Sequence, residues 1–375
     1  MRWLLRPLVI YGASRVVILL AFFLAVTAAG QLGHDLSAGR PWPAPPAGQS
    51  PTLTALTAWD GAWYTQIAQR GYGGRSSVMA FFPAYPLATR ALSAVTGLGR
   101  PAAGVLVAGL FGALAAILLW RLSCALGDEP FADRSTALFA FAPGSFVFSM
   151  AYAEPLMLAA SIGCLLSLYR QRWLWAGVWG AVATAARPNA GVLVVACAWA
   201  AVVAVRRSGA WKALAAPLLC AGGIAAYFAF LWRRTGVVLA WFDVERNIWK
   251  DTYSLASPWT RAQHALSQLT GGGRGPDLNY VVPTLGLVCA AVTIFWLARW
   301  RPPPALIIYA VGIVVLAAGS ARLGVRPRFL ATAFPLMQAV AWRFRGTACW
   351  VTVAVCAALA AVLTFVTVLT LLAVP

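Results

Sequence analysis

Apolar and polar positions alternate along this chain in long blocks. Apolar runs occupy about Leu8–Ala29, Ala102–Leu122, Thr136–Met150, Pro155–Tyr169, Trp173–Ala186, Asn189–Val205, Leu214–Trp232, Val281–Ala298, Pro304–Ala318, Phe329–Trp342 and Thr347–Ala373. About 20 such residues cross a bilayer core as a helix. The pattern therefore predicts an all-α polytopic membrane protein of about eleven spans, organised as a single transmembrane domain over residues 1–375. Trp173–Ala186 is short for a full crossing, and Arg187-Pro188-Asn189 hinges it to the next run, so this hairpin is expected to be partly re-entrant. The first run lacks a small-residue cleavage site after it and reads as a retained span, not a signal peptide.

Two polar blocks interrupt the apolar ones, residues 30–100 and 235–279. The first opens with a proline-rich stretch, Pro41, Pro43, Pro45 and Pro46, expected to be an extended connector. An amphipathic helix follows, in which Trp59, Trp63 and Ile67 recur at a spacing of four and Gly71 suits the C-terminus. Asp60 falls in its first turn, where the helix dipole favours a carboxylate. Aromatic side chains on one face suit the membrane–water interface. A capping reading stands beside the functional one: Thr57-x-x-Asp60 fits a capping box that only ties down the helix end. After the turn at 71–77 comes Phe81-Phe82-Pro83-Ala84-Tyr85-Pro86, and then a short helix of about Leu87–Thr96 carrying Arg90. In the second polar block, Trp241, Glu245 and Trp249 share another interfacial face. A further helix starts at Ser257-Pro258 and ends at Gly271-Gly272-Gly273.

Charge adds orientation. Only 10% of residues are charged against 61% hydrophobic, and the formal net charge is +19. Counting spans from the N-terminus puts Arg170, Arg172, Arg206, Arg207, Lys212, Arg299, Arg301, Arg343 and Arg345 on the side of Arg2 and Arg6. The positive-inside rule makes that side cytoplasmic. Arg15 lies within the first span; it reads as a functional candidate facing a polar partner, or as a side chain snorkelling to the cytoplasmic surface. Both long loops, Glu154, Arg187 and the cluster Arg322, Arg326 and Arg328 fall on the outer face. Arginine on that side needs a reason. A phosphate supplies one, because guanidinium groups fork onto its oxygens; lipid headgroups are the alternative. No contiguous basic soluble domain is present to bind nucleic acid. The seven cysteines form no C-x-x-C pair and lie mostly in apolar runs, and the two histidines, His34 and His264, stand far apart. A disulfide framework and a histidine metal site are not indicated. The arginine and alanine bias suggests a GC-rich genome.

Asp60, Arg90, Glu154, Arg187 and the Arg322–Arg328 cluster thus converge on one face. Carboxylates beside arginines at a bilayer surface suit transfer of a group from a lipid phosphate to a hydroxyl. Arginines hold the phosphate as it leaves. A carboxylate takes the hydroxyl proton. Aromatic rings stack on a sugar, and no metal or other cofactor is called for if arginine serves as the cation. Capping and turn roles remain alternatives for Glu154, which precedes Pro155, and for Arg187 and Asn189; Phe81, Phe82 and Tyr85 also fit plain interface anchors.

The chain also resembles a family, the PIG-V-type GPI mannosyltransferases in a bacterial form, of the GT-C class of membrane glycosyltransferases. The matching segments are Trp59-Asp60-Gly61 with Tyr64, Ile67-Ala68 and Gly71-Tyr72; Phe81-Phe82-Pro83-x-Tyr85-Pro86 with Arg90; Tyr152-x-Glu154; Arg187-Pro188-Asn189 with Gly191; and Arg326-Pro327-Arg328-Phe329 with Pro335. The resemblance implies a GT-C-like fold and an inverting single displacement from a dolichol- or polyprenol-phosphate-mannose donor; the acceptor, expected to be a hydroxyl of a lipid or glycan, is not carried over from the family. It implies a catalytic acid in the first outer loop, which maps onto Asp60. With it, the site expectation is Asp60 and Glu154 as catalytic carboxylates, Arg90, Arg322, Arg326 and Arg328 around the donor phosphate, and Trp59, Tyr64, Tyr85, Arg187 and Asn189 on substrate. The rival class is a transporter or flippase for a lipid-linked or anionic substrate. It predicts repeats and broken helices in matching halves, and no such symmetry is visible in the sequence.

Overall fold

The computed structural model describes residues 2–36, 41–73, 76–270 and 277–370. These form seventeen α-helices joined by short 3-10 turns. Helix α1 (Arg2–Gln31) leads into the first loop, with α2 (Pro51–Leu56), α3 (Asp60–Arg70) and α4 (Ala84–Thr96). Then follow α5 (Arg100–Leu126), α6 (Glu129–Ala140), α7 (Glu154–Tyr169), α8 (Trp173–Ala186), α9 (Val192–Ser208) and α10 (Ala215–Thr235). The second loop carries α11 (Ala240–Asn247) and α12 (Ser257–Thr270). The chain continues through α13 (Leu278–Trp300), α14 (Pro304–Gly319), α15 (Pro327–Thr332), α16 (Pro335–Arg343) and α17 (Gly346–Leu369).

Six helical stretches among the described residues are long and apolar enough to cross a membrane: the helices around α1, α5, α9, α10, α13 and α17. α7, α8 and α14 are apolar but shorter. Their apolar side chains face outward in quantity, as on Val16, Leu20, Leu218 and Val292, which suits a lipid solvent. α7 is enclosed almost throughout, between α5 and α8. The expected helix end at Gly271-Gly272-Gly273 lies outside the described residues, as do Gly74 and Arg75 of the expected turn and the last residues of the eleventh run.

Two of the eleven expected spans are not continuous helices. Thr136–Met150 is divided into the end of α6 and a 3-10 turn at Ser145–Ser149. Pro143-Gly144 lies between them, and proline lacks the N–H and fits poorly in a helix interior. Phe329–Trp342 is divided into α15 and α16 at Ala333, whose ψ of 51° leaves the helical region, two residues ahead of Pro335, which has no N–H to continue the helical bonding. The two breaks pack together. A Cβ on Gly144 would stand 2.2 Å from the Pro327 carbonyl carbon, so only glycine allows this backbone approach. The approach places Arg328 against the first loop.

Arg15 serves the first break. Its guanidinium donates to the carbonyls of Ala140 and Ser145, both at 2.8 Å, and to Ser149 Oγ at 3.1 Å. It thus satisfies carbonyls that lost their helical partners. Arg15 is buried and does not snorkel, and its contacts are structural. The amphipathic helices appear where the spacing predicts them. α3 and α4 pack together and lie against the start of α5, where Tyr85 donates to the Gly104 carbonyl at 2.7 Å. At the far end of α5, Trp120 donates to Asp133, which with Glu129 pairs with Arg6. With a rise of about 1.5 Å per residue, α5 holds Gly104 and Trp120 roughly 24 Å apart.

Candidate active site

α3 starts in an unusual way. Trp59, the residue before it, has φ 59° and ψ −125°, a conformation that side-chain-bearing residues avoid. Trp42 packs on its ring, with centroids 4.4 Å apart. The Asp60 N–H donates to the Tyr152 hydroxyl at 3.3 Å. No side chain caps α3: Thr57 donates its hydroxyl back to the Leu53 carbonyl at 2.7 Å instead. The capping box is therefore not formed. The Asp60 carboxylate turns to a partner 268 positions away, accepting from Arg328 Nη1 at 2.7 Å on Oδ2.

Arg328 links two carboxylates. Its Nη1 lies 3.7 Å from Glu154 Oε1, which also meets Arg187 Nη1 at 2.6 Å. The Glu154 side chain is 0% exposed and Arg328 4%, whereas Asp60 is 23% exposed. Two buried guanidinium groups and a buried carboxylate are tolerable only together, since each ion compensates the loss of water around the next. Arg187 is held in its charged form by Glu154, against the effect of burial.

A cavity of about 720 Å³ opens beside this network. Asp60, Arg187, Asn189, Arg322, Arg326 and Arg328 line it, and so do Trp59, Trp63, Tyr64, Phe81 and Trp249. The structure thus gathers most of the residues singled out in the sequence from five separate segments. Both amide atoms of Asn189 are buried without a hydrogen-bond partner among the described residues. Arg326 donates to Asn279 Oδ1 at 3.2 Å and to the Leu323 carbonyl at 3.0 Å. Burial, with Arg328, Arg261 and Arg322 nearby, lowers its pKa to about 9. Arg322 bonds the Trp249 carbonyl, and its N–H donates to Asp251.

Three expected residues stand elsewhere. Glu154 does not line the cavity; it is enclosed behind Arg187 and Arg328. Arg90 is exposed and donates to the Ala68 carbonyl at 3.1 Å, tying α4 to the C-terminal turn of α3. Tyr85 is buried, its hydroxyl committed to Gly104. Conversely, Glu245 and Asp251 line the cavity and were not expected there, and neither was Trp42. Burial, with help from Asp251 and Asp60, raises the Glu245 pKa to about 7. The Trp241-Glu245-Trp249 spacing carried a signal for Glu245; nothing in the proline-rich stretch pointed to Trp42.

Taken together, a helical membrane bundle with a charged cavity under its first long loop defines a GT-C-like glycosyltransferase fold. ArnT from Cupriavidus metallidurans, in a structure bound to undecaprenyl phosphate, superposes with a TM-score of 0.52 at 15% identity, covering 92% of this chain and 62% of that one. The chain thus spans about three-fifths of that protein's length. An oligosaccharyltransferase from Archaeoglobus fulgidus is matched more loosely, with a TM-score of 0.43 at 14% identity over 95% of this chain and 55% of that one. In sequence, the mannosyltransferase (PIG-V) family model matches residues 48–215, a segment that holds Asp60, Glu154, Arg187 and Asn189. No curated protein matches the chain in sequence.

Proposed function

We propose that this chain is an inverting mannosyltransferase of a bacterial plasma membrane. It moves mannose from polyprenyl-phosphate-mannose to a hydroxyl of a lipid or glycan acceptor on the outer face. The observation that carries this reading is the Asp60 carboxylate, fixed by Arg328 at 2.7 Å and presented at the wall of an arginine-lined cavity. One Asp60 oxygen is held by Arg328, and no hydrogen bond among the described residues reaches the other, Oδ1. That oxygen takes the proton of the acceptor hydroxyl. The hydroxyl oxygen attacks the anomeric carbon, the bond from that carbon to the phosphate oxygen breaks with inversion, and polyprenyl phosphate leaves with the electron pair. Arg326 and Arg322 receive the leaving phosphate. Their mutual repulsion, which depresses Arg326, is relieved by an anion placed among them. Trp63, Tyr64 and Asn189 offer a ring surface and amide contacts for the sugar. Arg328 and Glu154 are positioning residues in this scheme, since both are spent on the ion-pair network. The test incubates the purified protein with polyprenyl-phosphate sugars and a lipid extract of the source. A mannosylated product with stoichiometric polyprenyl phosphate is expected; donor binding without any product counts against transfer.

A further inference from the structure

The helix that carries Asp60 separates two cavities. At 100° per residue, Asp60, Trp63, Tyr64 and Ile67 share one side of α3, and Ala62, Thr65, Gln66 and Gln69 share the opposite side. The first side faces the cavity described above. The second faces another of about 710 Å³, closed over by the proline-rich stretch 41–46. Pro41 and Trp42 line both. The chemistry of the two differs. The first cavity is lined by Asp60, Glu245 and Asp251 and by four arginines. Among the described residues the second has no carboxylate in its lining and only Arg70 as a charge; its polar groups are the amides of Gln66 and Gln69 and the hydroxyl of Thr65, with Gln49, which already donates to Thr54 and Thr57, beside them. The Gln66 Oε1 atom is buried with no hydrogen-bond partner among the described residues.

We infer that this second cavity is an acceptor site for a neutral saccharide. The inference rests on the glycosyl-transfer reading above and specifies its acceptor. Amides and hydroxyls donate and accept, so they match sugar hydroxyls, which also do both. An aromatic ring at the junction suits the apolar face of a sugar. A charged headgroup finds little compensation among these side chains, and a bare lipid alcohol leaves the buried Gln66 Oε1 unpaired, which is costly. The donor occupies the arginine-lined side, and the acceptor hydroxyl reaches Asp60 past Pro41 and Trp42. The strained Trp59 backbone, packed on Trp42, fixes this junction.

The experiment compares two small acceptors, p-nitrophenyl α-mannoside and 4-nitrobenzyl alcohol, with polyprenyl-phosphate-mannose as donor. The intact chain is expected to use the glycoside at least about tenfold better. Gln66→Leu and Gln69→Leu should each raise the KM for the glycoside by about tenfold, as loss of a hydrogen bond to a substrate hydroxyl does, and leave the KM for donor unchanged. Equal use of both acceptors overturns the inference. So does an unaltered glycoside KM in both variants. A second readout does not need turnover. Gln69→Cys is labelled with a maleimide, and p-nitrophenyl α-mannoside should protect the added thiol. Absent protection overturns the saccharide site. Protection without any donor consumption retains the site and rejects the glycosyl-transfer reading instead.

Discussion

Arg328 contacts both Asp60 and Glu154, so it cannot be altered without disturbing two carboxylates. Breaking a buried ion pair by removing one partner costs about 3–5 kcal/mol, because the other charge is left uncompensated. Arg328→Ala and Glu154→Gln are therefore expected to lower thermal stability and turnover together. Arg326→Gln should weaken donor binding by about tenfold with a smaller loss of stability, since it stands outside the ion-pair network of Asp60, Glu154, Arg187 and Arg328. Titration of donor against each variant by thermal shift checks this, with Arg343→Ala at the other end of the bundle as the control. Equal donor affinity in Arg326→Gln and Arg343→Ala would remove Arg326 from the phosphate site. At this scale the sequence was informative where a charge stood alone in an apolar chain. Asp60, Arg187, Arg326 and Arg328 were visible for that reason. It could not say which partner each charge takes. Glu154 turned out to face two arginines behind the wall, and Arg90 and Tyr85 proved to be ties between helices.

The elements that aim these side chains depend on backbone approaches more than on helix length. Gly144 admits Pro327 into the break after α6, and Gly144→Ala brings a Cβ to 2.2 Å from the Pro327 carbonyl carbon and oxygen. The backbone of 327–328 must move, so Arg328 leaves Asp60. Loss of most activity is expected in Gly144→Ala, measured against Gly109→Ala, where nothing lies within 4 Å of the added atom. α11 supplies a pH signal. Glu245 is raised from 4.5 to about 7 by burial, so it is neutral in the fold where it would be ionised in the unfolded chain. Its contribution to stability is complete below pH 4.5 and disappears as pH rises through about 7. The stability difference between the intact chain and Glu245→Gln should therefore move against the intact chain across that window. A difference independent of pH would contradict the burial of Glu245. The helices of both loops were legible because aromatic residues recur at helical spacing. The broken spans were not, because a run of apolar residues looks the same whether or not its backbone is continuous; only Pro143-Gly144 and Pro335 marked the breaks.

For the whole molecule, the alternation of arginine-rich turns predicts the orientation. The site lies at the α4 end of α5 and the Arg6–Glu129–Asp133 cluster at the other. Single cysteines placed at Gly48 and at Gly97 should react with an impermeant maleimide in intact cells, and one at Gly209 only after lysis. The reverse pattern would put the cavity inside and exclude an outer-face reaction. The fold class was readable from run lengths, and the resemblance to PIG-V mannosyltransferases from motifs that the family match covers in part. The cavity was not readable, because it arises where segments 41–64, 77–82, 187–189, 224–253 and 316–329 meet. The central claim is that Asp60 removes the acceptor proton. Asparagine matches aspartate in size, and Tyr152 bonds the backbone N–H of residue 60, which the substitution leaves in place. The most direct measurement is the single-turnover rate of mannose transfer by Asp60→Asn in protein that is folded and saturated with donor. Loss of a general base typically costs 10²–10⁴-fold, and a fall of about that size is predicted. A rate near that of the intact chain would contradict it.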